Sequence, residues 1–301
     1  MQIESTTLPR RLLGRRLIEL REAANLKSDE AAKLAEIGRQ TLWRLENGRT
    51  SEVKRPIIRA LCRVYEVNEE DQNGLLWLAD ECRKDEWWQP YRDAILHADL
   101  FMSLEHAASQ VNSFQLTLIP GLAQTADYRR SKARYYKPGT GRAAVIVGNL
   151  QNNEDRQIEM LSKRQARLTD SSNPLTLHIW LGEAALRYRI GGSAVMADQV
   201  RHLYELSKLP NISVRVIPFT SDGHFGLELD SFVLLDFPQH LNPALTQPPV
   251  VYIEGHAGSL YLDKPSETEV YRNALYDLAT VALDEPQSRA LLQKIEEEHR
   301  A

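Results

Sequence analysis

Apolar side chains recur at Leu13, Leu17, Leu20 and Ala24, at spacings of four, three and four, which places a single apolar stripe on a helix. Asn25-Leu26 interrupts that helix. A second is predicted to start near Ser28, read as its N-cap, with Asp29 and Glu30 in the first turn where the helix dipole favours them. It is small-sided (Ala31, Ala32, Leu34, Ala35), so another helix can approach closely. After Glu36-Ile37-Gly38 a third helix turns Leu42 and Leu45 inward, and Asn47-Gly48 ends it as a left-handed stop. Pro56 sits where a fourth can begin (Ile57, Ile58, Leu61, Cys62, Tyr65), and a fifth covers about 70–84 through Leu75, Leu76, Leu78 and Ala79. Five short helices with brief links form a compact bundle.

The pattern changes at Trp87-Trp88-Gln89-Pro90-Tyr91, an aromatic cluster of the kind that caps a core or joins two domains. Ala107, Ala108, Val111 and Phe114 suit a helix running into Leu116–Ile119 and stopping at Pro120-Gly121. A loop rich in Gly and Pro (Lys137 to Arg142) precedes a helix from about Asn153 to Thr169. Strands follow at 175–181, 212–218, 232–237 and 250–254, rich in β-branched or aromatic residues and bounded by turn residues. A helix over about 194–207 between the first two makes a β-α-β unit, hence a parallel pair. Residues 259–263 fold back on 250–254 as a hairpin, and helices over about 266–283 and 286–299 close the chain. The expected fold is α+β and multidomain. An all-α five-helix domain spans 1–85, an aromatic linker 86–100, and an α/β domain with a mixed sheet and flanking helices 101–301.

Charge sharpens this division. Residues 1–63 hold 14 Lys/Arg and 8 Asp/Glu, whereas the rest hold 23 and 33, so a basic head precedes an acidic body although the whole chain carries only −4. Either a polyanion is met at one end, or the clustering is incidental on a solvated surface. Two cysteines, Cys62 and Cys82, exclude a disulfide scaffold and fall short of a four-cysteine zinc site. No apolar run approaches the roughly 20 residues of a membrane span, and MQIESTTLPRR lacks a secretory signal's apolar stretch. A soluble cytoplasmic protein is expected, with no metal and no cofactor.

Residues 20–48 carry the chemistry. Two short helices joined by a tight turn containing Gly form a helix-turn-helix unit, whose second helix protrudes far enough to enter a DNA major groove about 12 Å wide. The exposed face of that helix carries Arg39, Gln40, Trp43 and Arg44, the candidate base contacts. Arg matches guanine O6/N7 and Gln matches adenine N6/N7 as bidentate partners. Trp43 is bulky for an exposed position; it either touches a thymine methyl or the sugar backbone, or packs within the domain. Lys27 and Ser28 at the preceding helix start, with Thr41, Arg49 and Lys54, are the candidate phosphate contacts. A purely structural helical hairpin explains the apolar pattern equally well but does not require the basic and amide face.

Residues 13–65 resemble the Cro/phage-repressor (xenobiotic-response-element) type of helix-turn-helix domain, through LGRRLIELREAANL, the spaced Ala32, Ile37, Leu42 and Leu45, and LENGR. The resemblance implies a five-helix fold, homodimeric binding to an inverted-repeat operator on double-stranded DNA, and base contacts at Arg39, Gln40 and Arg44. It also implies phosphate contacts at Lys27, Ser28 and Arg49, and an ion pair of Arg21 with Glu46 joining the first helix to the recognition helix. The sequence departs from that family at Glu36, where a turn Gly is usual, and at Gly38, where a capping Ser is usual. The remainder carries Glu105-x-x-Ala108, Leu118–Thr125 with Tyr128 and Arg129, Glu183–Arg187, Pro210-Asn211-Ile212, Ile217-Pro218-Phe219, Leu235-Asp236-Phe237 and Val251–Glu254. This ordered series resembles actinobacterial regulators whose C-terminal domain is of unknown function and often labelled antitoxin-like. That resemblance implies control by a small acidic protein encoded nearby.

An enzyme reading lacks its usual signatures: the chain has no GxxxxGK[ST], HExxH or GxSxG. His224, Glu183, Arg187, Asp230 and Glu254 fall near predicted strand ends, where α/β folds place ligands. Glu183 and Arg187 are spaced as a helix-surface ion pair, and His178 inside a strand reads as structural. The expectation is a sequence-specific, homodimeric transcription regulator, favoured as a repressor and not an enzyme. The alternatives are an antitoxin-like protein that sequesters a neighbour-encoded partner, and a small-molecule-sensing regulator.

Overall fold

The computed structural model describes residues 7–50, 52–91, 99–135, 154–170, 172, 174–255 and 258–301. They separate into two compact units. Among the described residues, the first comprises 7–91, 99–107 and 238–247, and the second comprises 108–237 and 248–301.

The first unit holds α1 (Leu8–Ala23), α2 (Ser28–Leu34), α3 (Arg39–Glu46), α4 (Arg55–Val64), α5 (Glu69–Glu81) and α6 (Asp99–Ala107). The helix ends follow one rule. At α1, α2, α3 and α4 a residue with φ of 54–63° (Asn25, Glu36, Gly48, Glu66) reverses the chain. Its N–H donates to the carbonyl three residues back, and the next N–H donates to the carbonyl five back, at 2.8–3.3 Å. This is the Schellman arrangement, which satisfies carbonyls the helix leaves unpaired. Gly48 adopts the left-handed region without a Cβ penalty, whereas Glu36 and Glu66 adopt it with one. The residue after three of these turns, Leu26, Ile37 or Val67, packs against the core formed by Leu13, Leu17, Leu42, Leu45, Ile58, Leu61 and Leu75.

Two further stretches complete this unit. In the aromatic segment, Trp88 and Tyr91 are buried, and the rings of Trp87 and Trp88 lie 6.3 and 6.1 Å from that of His106 in α6. The Leu8 N–H donates to Ser103 Oγ of α6 at 2.9 Å. Residues 238–247 add Leu245 to the helical core, with its Cδ1 2.9 Å from where a Cβ would stand on Gly74. On the same stretch Trp77 meets His240 at 5.3 Å, and Arg15 donates to the Thr246 carbonyl at 3.3 Å.

The second unit is built on a six-stranded mixed sheet in the order β3-β2-β1-β4-β5-β6. The strands are β1 (Gln110–Gln115), β2 (Thr176–Gly182), β3 (Ile212–Ile217), β4 (Phe232–Asp236), β5 (Val250–Gly255) and β6 (Gly258–Leu262). β2 and β3 are parallel neighbours, as the β-α-β reading requires; β1 lies parallel to β2 on its other side, and β4 to β6 continue antiparallel from β1. The hairpin of 250–254 with 259–263 is present as β5–β6. The helices are α7 (Ala126–Tyr135), α8 (Glu154–Gln165), α9 (Ala184–Arg187), α10 (Ser193–Leu206), α11 (Pro265–Val281) and α12 (Glu285–Arg300). Phe114, Phe232, Leu234, Val251 and Leu278 form a buried apolar core between sheet and helix.

One element is corrected. The helix expected to run from Ala107 through Phe114 stops at Ala107, and residues 110–115 are the central strand β1. Val111 and Phe114 share a helical spacing, but Val111 to Phe114 are buried in succession on both faces of a strand that pairs with β2 and β4 along its two edges. The 137–142 loop lies outside the described residues.

Candidate nucleic-acid interface

α3 is fixed from below. Leu42, Leu45 and Glu46 are its buried residues, while Arg39, Gln40, Thr41, Trp43 and Arg44 are exposed. At about 100° per residue, Arg39, Gln40, Trp43 and Arg44 occupy one outward arc of about 140°, and Thr41 lies on its flank. The helix's one acidic residue, Glu46, points inward. The outward arc is therefore cationic and amide-bearing, with one aromatic ring.

Two contacts hold α3 against α1. Arg21 Nε donates to Glu46 Oε1 at 2.6 Å, and Arg21 Nη1 donates to the Leu26 carbonyl at 3.0 Å, which ties the ion pair to the turn after α1. The hydrogen bond that Arg21 donates to Glu46 raises the Arg21 pKa above its ordinary value. Gly14 of α1 is the second contact: a Cβ there would stand 2.4 Å from the Glu46 carbonyl oxygen, so the two backbones touch. The sequence reading passed over Gly14; its place on the buried side of α1, between Leu13 and Leu17, was the available signal.

The other candidates lie around α3. Lys27 is exposed and occupies the cap position of α2. Ser28 was expected at that cap; it is instead the first helical residue, half-buried, and α2 has no side-chain cap. Gly38 is the cap residue of α3, likewise with no side-chain cap. Trp43 is 45% exposed, outside the core, with the Arg49 guanidinium 5.2 Å above its ring, a cation–π stack that draws Arg49 toward the outward arc. The Asn47 side-chain amide donates to the Trp43 carbonyl at 2.8 Å. Lys54 is exposed and lies 3.6 Å from Glu52. Arg39 Nε lies 2.7 Å from Asp29 Oδ1, a pairing the sequence reading did not anticipate.

Of the polar groups singled out near strand ends in the second unit, Glu183 and Arg187 are engaged in holding the fold. Glu183 Oε1 accepts from Arg187 Nε at 2.6 Å and Oε2 accepts from the Phe219 N–H at 2.9 Å, while Arg187 also reaches Glu298 at 2.7 Å. Asp230 and Glu254 are exposed, and His224 precedes a short 3-10 turn whose Phe225 N–H donates to Asp277 at 2.7 Å. A cavity of about 490 Å³ opens beside His178, lined also by Lys208, Asn211, Ser213, Glu285 and Arg289. Burial lowers the His178 pKa. Ser213 donates to Glu285 at 2.7 Å and Asn211 donates to the Leu168 and Leu175 carbonyls at 3.0 and 2.8 Å, so much of this lining is spent on local structure. Among the described residues, no group of three or more His, Cys, Asp or Glu is arranged to hold a metal, and no helix is long and apolar enough to cross a membrane.

No curated protein and no solved structure matches the chain. A family described as a helix-turn-helix domain matches residues 12–74, the stretch that builds the α1–α5 bundle and its protruding α3; such a domain points to a DNA-binding regulator. The family described as Domain of unknown function (DUF5753) matches residues 98–294, well over half of the chain, and the chain belongs to that family.

Proposed function

We propose that this protein is a sequence-specific, DNA-binding transcription regulator of the Cro/phage-repressor type, acting as a homodimer and more often to repress than to activate. The observation that carries the reading is the outward arc of α3. Arg39, Gln40, Trp43 and Arg44 face solvent together, while the only carboxylate of that helix is turned into the domain. Arg39, Gln40 and Arg44 read base edges in the major groove, and Lys27, Ser28, Thr41, Arg49 and Lys54 hold phosphates on either side. Two copies related by a two-fold axis set half-sites about 34 Å apart on an inverted repeat.

In this reading the second unit binds rather than catalyses. It holds the dimer and receives a regulatory signal, for which a small acidic protein encoded nearby is the proposed source. Such a partner changes operator occupancy only by its difference in affinity for the DNA-competent and DNA-incompetent geometries. The reading is supported by the use of Glu183, Arg187, Asn211 and Ser213 in structural hydrogen bonds.

Two substitutions test it. Arg44→Ala should weaken binding to a selected operator by about 1–3 kcal/mol and relax base preference at one position. Lys27→Ala should weaken binding to all duplexes alike and lower the salt slope by about one ion. Unchanged affinity and footprint in both variants would remove α3 and its flank from DNA recognition.

A further inference from the structure

β4 ends at Asp236 and β5 begins at Val250, with Leu235 paired to Val250 in the sheet. Between these strands of the second unit, residues 238–247 belong to the first. Both stems of the loop are therefore pinned at neighbouring positions of the sheet, while its tip is pinned in the helical bundle. The tip has a fold of its own. Pro243–Leu245 form a 3-10 turn, the Asn242 side chain accepts from the Ala244 N–H at 2.9 Å, and Thr246 Oγ1 accepts from the His240 N–H at 3.0 Å. From that turn Leu245 enters the helical core, where it is 6% exposed. Gly74 of α5 makes the room: a Cβ there would stand 2.9 Å from Leu245 Cδ1. A connection with internal hydrogen bonds and a buried apolar tip is a compact, anchored loop, not a slack linker.

The helix that receives this loop also fixes α3. Successive residues of a helix point about 100° apart, and three in a row on α1 meet three different elements. Gly14 makes the backbone contact with Glu46 of α3, Arg15 donates to the Thr246 carbonyl at 3.3 Å, and Arg16 donates to Asp71 of α5 at 3.2 Å. We infer that residues 238–247 are the tie through which the second unit controls the recognition helix. With Leu245 seated, α1 crosses α3 in the DNA-competent geometry; with Leu245 unseated, that crossing is released. This rests on the DNA-binding reading above and supplies its route of regulation. A shift of β4 against β5 moves both stems, and a close-packed core answers by keeping or expelling the tip, because it has discrete arrangements and does not deform continuously. The coupling is reciprocal, so a duplex that binds only the seated form must steady the loop and the strands that carry it. A loop that merely adds apolar area to the core has no such link to β4 and β5.

The test uses the full chain, a duplex that it selects from a random pool, and amide hydrogen exchange. Wild type is compared with Leu245→Ala and with a chain carrying Gly-Ser-Gly-Ser inserted after Phe237 and again after Gln247. The insertions lengthen both stems and leave Leu245 and its seat in place; flexible insertions of this kind cost little stability, and melting temperature checks that each chain is folded. We expect the duplex to slow exchange of the β4 and β5 amides about fivefold or more in the wild type, and less than about twofold in the chain with lengthened stems. Duplex affinity of Leu245→Ala should fall about fivefold beyond what its unfolded fraction explains. Equal slowing in the wild type and the lengthened chain overturns the proposal, because the effect then reaches the strands by another route. No slowing in a wild type that binds the duplex overturns it too, as does a Leu245→Ala affinity reduced only by its unfolded fraction. A wild type that binds no duplex refutes the DNA-binding reading itself, and is told apart because exchange in α3 is then unchanged as well.

Discussion

Replacing Gly14 by Ala sets two effects of opposite sign against each other. In an exposed helix interior, Gly→Ala stabilises by about 1 kcal/mol, because alanine loses less backbone entropy on folding. At Gly14 the added Cβ would stand 2.4 Å from the Glu46 carbonyl oxygen, 2.8 Å from the Leu45 carbonyl oxygen and 2.9 Å from the Glu46 carbonyl carbon. All three are backbone atoms of α3, so no side-chain rotation relieves the contact. Reaching an ordinary contact distance of 3.4 Å requires α1 and α3 to separate by about 1 Å. Overpacking of this kind costs about 1–3 kcal/mol. The steric effect outweighs the propensity gain, and the expected net loss is about 1 kcal/mol. The displaced element is α3, so affinity for a selected duplex should fall by more than the stability loss alone explains. Urea unfolding combined with duplex titration measures both quantities. A variant about 1 kcal/mol more stable than wild type, with unchanged duplex affinity, would show that helix propensity wins and refute the close α1–α3 approach.

Leu245→Ala should destabilise the first unit by about 2–5 kcal/mol, because Leu245 is a buried member of the helical core; a urea transition shifted by less than 0.5 kcal/mol (roughly) would place residues 238–247 outside that core. Glu46→Ala leaves the largely buried Arg21 guanidinium without its carboxylate and should cost about 2 kcal/mol, reduced from a fully buried pair because Arg21 is partly solvated; thermal melting checks it, and Glu46→Gln should lose less. Burial pushes the Cys62 thiol up to about 11 and the Cys82 thiol up to about 12. Both should therefore resist alkylation at pH 8 in the native protein and react once it is unfolded, and rapid native labelling of either would contradict their burial.

The first five helices were legible because their apolar spacing is regular and their ends carry local chemistry: Gly48 after Asn47, Pro56 at a start. The reversals at Glu36 and Glu66 were not legible, since nothing local in a glutamate announces a positive φ; tertiary packing of Ile37 and Val67 behind them stabilises the turn. β1 was misread for a different reason. Gln110–Gln115 carries polar Asn112 and Ser113 at positions that are buried between β2 and β4, so neither the alternation of a half-exposed strand nor an unbroken apolar run marks it. The other five strands were placed within a residue or two. The outward face of α3 was legible from its residue types, because helix geometry alone converts the order Arg39, Gln40, Trp43, Arg44 into one arc. What the sequence did not disclose were the contacts made around this face: Asp29 on Arg39, Arg49 over Trp43, and the Gly14 crossing. The first and last join residues on different helices, and Arg49 reaches Trp43 across the turn that ends α3. Leu245 likewise reaches Gly74 from a distant part of the chain.

The most direct test of the account is the ratio of affinities for a selected duplex and a random duplex, measured at one salt concentration for the wild type and for a variant with Arg39, Gln40 and Arg44 all changed to Ala. The account predicts a ratio of about a thousand or more in the wild type, falling toward unity in the variant while the melting temperature holds. A wild-type ratio near unity, or a large ratio that survives the triple substitution, would contradict the claim that the outward face of α3 reads DNA.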